Sequence, residues 1–110
     1  MNKDDQILDL LERLRRTLGA NAFQVVDHWP ADRTAIGIAS MENKQVLAYL
    51  RPHGERYDIE LELPPDASDE YPYQPAGSFE QVSFEELVEI VVDHLGVNNT
   101  NNQSQLDPPP

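Results

Sequence analysis

Two groups of side chains in this sequence have the make-up to do chemistry. The first is Asp27-His28-Trp29-Pro30-Ala31-Asp32-Arg33, which gathers an imidazole, two carboxylates, an indole and a guanidinium within seven residues. An imidazole beside a carboxylate suits a general base, and an arginine nearby suits an anion, so His28, Trp29, Asp32 and Arg33 form a candidate ligand or catalytic site. The same run is also what a hairpin turn needs. Pro30 fixes φ, Asp32 can accept a turn hydrogen bond, and Trp29 can cap the edge of the core. The turn explanation is the simpler one. The second group is a surface. Asp58, Glu60 and Glu62 alternate along one stretch, Asp66, Asp69 and Glu70 follow, and Glu80, Glu85, Glu86, Glu89 and Asp93 lie beyond. Tyr71 and Tyr73 stand among them as ready interface anchors, whereas Phe79 is expected to pack onto the helices and sheet. Carboxylates around rings suit a basic protein partner, because charge accelerates encounter and the rings hold the complex. Asp58, Glu60, Glu62, Asp69, Glu70, Tyr71 and Tyr73 are therefore the expected partner-binding residues.

Other chemistries find little material. The chain has no cysteine, which excludes disulfides, thiol nucleophiles and zinc sites built on thiolates. His28, His53 and His94 are 25 and 41 residues apart and make no local metal motif. There is no glycine-rich phosphate loop, no His-Glu-x-x-His helix and no Gly-x-Ser-x-Gly elbow. No metal, no cofactor and no enzymatic activity are expected.

Charge narrows the partners further. The 110 residues carry 20 acidic and 8 basic side chains, a formal net charge of −12. The acids and bases of residues 1–54 cancel. The whole excess arises in residues 55–110, where Arg56 is the only base. Such a field repels phosphate backbones and anionic lipid and attracts cationic surfaces, so direct nucleic-acid binding is not expected. Solubility alone is the ordinary explanation of such acidity. No apolar run approaches the ~20 residues of a membrane span, and no apolar signal core follows Met1, so the expectation is a cytoplasmic protein without membrane contact.

The elements that must position these groups are legible from periodicity. Ile7, Leu11, Leu14 and Leu18 recur at helical spacing over residues 5–18, with Asp4 or Asp5 at the start and Arg13, Arg15 and Arg16 in the last turns. From residue 21 the period becomes 2. Strands are predicted near residues 23–28, 33–40, 45–51 and 57–63. The last is the clearest, since Tyr57, Ile59, Leu61 and Leu63 alternate with Asp58, Glu60 and Glu62. Ala35, Gly37 and Ala39 put small residues on one strand face, where a neighbour can approach closely. Residues 66–81 read as a polar loop interrupted by Pro72, Pro75 and Gly77, with Tyr71 and Tyr73 in a short edge strand or lying over the sheet. Ser83 and Glu86 then make a capping box for a helix that buries Leu87, Val91 and Leu95. The predicted fold is α+β: a four-stranded antiparallel meander with N- and C-terminal helices on one face, in the order α-β-β-β-β-α. It comprises one domain, residues 1–97, and a disordered Asn/Gln/Pro-rich tail, residues 98–110.

The pattern resembles the small acidic immunity-type proteins that bacteria encode beside toxins, and similar small bacterial domains. The stretch His28-Trp29-Pro30-Ala31-Asp32-Arg33-Thr34-Ala35-Ile36-Gly37-Ile38 and the ending Gly77-Ser78-Phe79-Glu80-Gln81-Val82-Ser83-Phe84-Glu85-Glu86-Leu87-Val88 carry the resemblance. It implies a non-enzymatic inhibitor that blocks a basic partner such as a toxin or nuclease. Two other readings compete: a nucleic-acid mimic that inhibits a DNA- or RNA-handling protein, and a small ligand-binding domain or enzyme built on the 28–33 hairpin.

Overall fold

The computed structural model describes residues 3–65 and 74–97. Helix α1 spans Asp5–Leu18. Five strands follow, β1 Phe23–Val26, β2 Ile36–Ser40, β3 Leu47–His53, β4 Arg56–Leu63 and β5 Gln74–Val82, and helix α2 spans Phe84–Leu95. The strands form one antiparallel meander in the order β1-β2-β3-β4-β5.

The predicted α+β class, the antiparallel sheet and the two flanking helices are present, but the sheet has five strands and not four. Residues 74–81, read as loop, pair together with Val82 along β4 as its outer neighbour. Pro52 and His53, beyond the end of the predicted strand 45–51, close β3 opposite Tyr57 and Arg56, and the chain reverses through Gly54 (φ 65) and Glu55. Asp69, Glu70, Tyr71, Tyr73 and the 98–110 tail lie outside the described residues.

Register divides the sheet into two faces. Ile38 stands opposite Val25 and Ala48, Ile36 opposite Leu50, Leu50 opposite Ile59, and Ala48 opposite Leu61. These residues join Ile7, Leu10, Leu11 and Leu14 of α1 and Leu87, Val91 and Leu95 of α2 in one buried core. Both helices thus cover a single face, because each carries one apolar stripe and the sheet offers one continuous apolar surface to bury it.

The helix ends are fixed locally. Ser83 Oγ accepts the Glu86 N–H and the Glu86 carboxylate accepts the Ser83 N–H, the expected capping box. That hydrogen bond from Ser83 holds the Glu86 carboxyl below its ordinary range. Asp4 stands at the start of α1 but makes no capping bond; its carboxylate pairs with Arg33 at 3.3 Å. The guanidinium of Arg13 lies 3.7 Å from the centre of the Phe84 ring, a cation–π contact that ties α1 to α2. Among the described residues no helix is long and apolar enough to cross a membrane.

Candidate functional site

The face of the sheet away from the helices carries the chemistry. Strict alternation in β4 puts Asp58, Glu60 and Glu62 there, and register sets them opposite Arg51, Tyr49 and Leu47 of β3. The acids of α2 do not join them. Glu85, Glu86, Glu89 and Asp93 are exposed on a helix that packs against the opposite face, so the acids of β4 and of α2 lie on two sides of the sheet.

The loop between β1 and β2, residues 27–35, folds over the open face and brings part of the hairpin group to it. Two residues ahead of α1 hold this loop. The Lys3 side chain is 0% exposed, and its ammonium meets the Asp27 carboxylate at 3.0 Å while donating to the carbonyl oxygens of Trp29, at 3.1 Å, and Asp32. The Asp4 N–H donates to the Arg33 carbonyl at 3.0 Å. Within the loop, the Asp32 carboxylate accepts the Thr34 N–H at 2.9 Å and the Thr34 hydroxyl at 2.7 Å, and it pairs with Arg51 at 3.0 Å. The bonds from Thr34, followed by that from Arg51, hold the Asp32 carboxyl down at about 2.

So held, the loop sets the Trp29 indole edge-on to the Tyr49 ring, with centroids 5.1 Å apart. Tyr49 in turn lies across Gly37, the close approach that the small-residue face of β2 anticipated. Burial, reinforced by the Asp27 carboxylate, pushes the Tyr49 phenol up to about 12.

Between this loop and β5 lies a cleft of about 380 Å³, lined by Trp29 and Asp32, by Tyr49, Arg51, Asp58, Ile59 and Glu60, and by Ser78, Phe79 and Glu80. Trp29 is 56% exposed, so its ring remains largely in solvent; Phe79, 40% exposed, stands opposite the buried Ile59, and its ring lies with Leu61 beside Gly77 on the helix-covered face. The expectation that Phe79 packs onto the helices and sheet is met only in part, because β5 is an outer strand whose residues from Pro75 to Gln81 are all exposed. A second depression, of about 420 Å³, is lined by Glu60, Leu61, Glu62, Pro75, Gly77 and Ser78, so Glu60 borders both.

The carboxylates on this face differ in their engagement. Asp58 is occupied: one oxygen lies 2.9 Å from His53 Nε2, and the other accepts the Gln81 N–H at 3.0 Å. That bond secures a bulge, where β5 sets Glu80 and Gln81 against Asp58 and Gln81 takes φ 57. Burial raises the Glu62 carboxyl above its ordinary range, His28 opposing and Glu60 adding to the rise. Glu60 and Glu80 are exposed and make no hydrogen bond or ion pair with the described residues.

The four residues of the candidate ligand site do not converge. Trp29 and Asp32 line the cleft, whereas His28, exposed with its ring 5.8 Å from that of Trp29, and Arg33, turned to Asp4, do not. Of the expected partner-binding residues, Asp58 and Glu60 line the cleft and Glu62 lies beside it. Tyr49, Arg51 and Lys3 were not anticipated. The parity of β3 against Glu60 and Asp58 points to the first two, while nothing in the spacing points to Lys3. No three His, Asp or Glu side chains among the described residues gather as a metal ion would require. Comparison with known proteins finds no matching family model, no similar curated protein and no similar solved structure.

Proposed function

We propose that this chain is a non-enzymatic binding module that engages a basic protein through the open face of its sheet, in the manner of an immunity or inhibitor protein that blocks a toxin. The observation that carries this reading is the pairing of the exposed Trp29 ring, set against Tyr49, with the carboxylates of Glu60 and Glu80, which no described residue engages, around one cleft. Exposed aromatic residues at the centre of a charged rim are the usual make-up of an interface hot spot. The cleft's own cation, Arg51, is already matched by Asp32, so the charge offered to a partner is negative.

A compact acidic patch around rings, with the acids of α2 on the far side of the sheet, favours a protein partner over mimicry of a phosphate backbone, which calls for carboxylates spaced along an extended face. The separation of His28 and Arg33 from the cleft likewise favours binding over catalysis by the 28–33 group.

The test is affinity capture from the native cell, with the wild-type chain beside Glu60→Lys and Trp29→Ala. The expected result is a basic protein retained by the wild type. Charge reversal at Glu60 is expected to slow its association by about tenfold at low salt, with a smaller effect at high salt. Trp29→Ala is expected to speed dissociation. Equal association by the wild type and the charge-reversed chain would remove this face from the reading.

A further inference from the structure

We infer that the cleft between the β1–β2 loop and β5 receives the guanidinium of an arginine side chain presented by the basic partner. This rests on the binding reading above and names the group recognised.

The cleft is chemically polarised. At one end Asp32 and Arg51 form an ion pair at 3.0 Å, and Asp58, opposite Arg51 in the ladder, is held by His53 and Gln81. These groups satisfy one another. The remaining lining is aromatic and anionic, with Trp29 and Tyr49 supplying rings and Glu60 and Glu80 supplying carboxylates that no described residue neutralises. Rings attract a cation through the negative charge of their faces, and carboxylates accept its N–H groups, so an organic cation satisfies both kinds of lining at once.

Shape selects among cations. A volume of about 380 Å³ accommodates one long side chain. A guanidinium is planar, stacks on indole and phenyl rings and offers a fork of donors to two acceptors, whereas an ammonium is a compact, strongly hydrated charge that gains less from ring faces. The rings lie partly preset, since Trp29 already rests against Tyr49 and its loop is held by Lys3. Little ordering is then left for the ligand to supply.

Trp29 is the only tryptophan in the chain, so its fluorescence reports occupancy of the cleft directly. The full chain is titrated at low salt with N-acetyl-arginine amide, N-acetyl-citrulline amide and N-acetyl-lysine amide. The expected result is a saturable change in emission with the arginine compound, with a midpoint in the millimolar range. The lysine compound is expected to bind severalfold more weakly, and the uncharged citrulline compound at least tenfold more weakly. Glu60→Gln, checked for an unchanged fold by its amide NMR spectrum, is expected to raise the arginine midpoint severalfold. The assignment is overturned by citrulline or lysine matching arginine, by a midpoint indifferent to Glu60→Gln, or by no saturable change. A basic protein captured through Glu60 alongside a failed arginine titration would overturn this assignment and leave the binding module standing; saturable arginine binding without any captured protein would do the reverse.

Discussion

Gly37 shows how much of the cleft depends on one missing side chain. A Cβ there would stand 2.4 Å from the Val26 carbonyl oxygen and 3.1 Å from the Tyr49 ring, closer than either contact allows. Gly37→Ala must therefore push strand β1 or Tyr49 away, and it is expected to destabilise the fold by about 2–3 kcal/mol, measured by denaturant unfolding. Tyr49 itself makes a second prediction. Its phenol is pushed up to about 12, whereas an unfolded chain loses that proton near the ordinary value of about 10. A group that holds its proton more tightly when folded costs nothing below about pH 10 and destabilises the fold as pH rises from there toward about 12. Phenolate absorbance of the wild type minus that of Tyr49→Phe should show a single step near the upper end of this range. A step near 10 would mean that the ring is as wet as a free tyrosine.

The loop between β1 and β2 is held by Lys3, and that element answers to a residue more than twenty positions away. Replacing Lys3 with Met keeps most of the buried stem but leaves the Asp27 carboxylate and the carbonyls of Trp29 and Asp32 without their donor. A loss of about 2 kcal/mol in unfolding free energy is expected, with faster proteolysis inside residues 27–35 and a changed Trp29 emission. Unaltered cleavage there would show that the loop holds itself. Such contacts leave no local mark in a sequence, since neither spacing nor periodicity links Lys3 to Trp29. Elements defined by their own periodicity were legible. The alternation of β4, the apolar stripe of α1 and the capping box of α2 each repeat a signal along the segment itself. Strand β5 has no such repeat. Its two bulges, opposite Asp58 and between Leu61 and Glu62, interrupt the alternation, its outer position leaves it exposed, and Pro75 and Gly77 read as breaks.

At the scale of the whole molecule, the charge imbalance between the two halves of the sequence was plain, but its placement was not. Where α2 packs decides that Glu85, Glu89 and Asp93 leave the open face, and packing side is a tertiary choice that a charge count along the chain does not contain. The candidate site was legible in the same proportion. Asp58, Glu60 and Glu62 followed from β4 alone, whereas the meeting of Trp29 and Asp32 with them required the loop to fold over the sheet. The irregularity of β5 also governs how copies of the chain meet one another. A strand on the rim of a sheet is a template on which another can be laid, provided its amide and carbonyl groups run in step. Here Pro75 lacks the donor, Gln81 turns out of the extended conformation, and Glu80 would confront its own charge in a neighbouring copy. This rim is thereby protected against fibrous growth, even when the protein is concentrated.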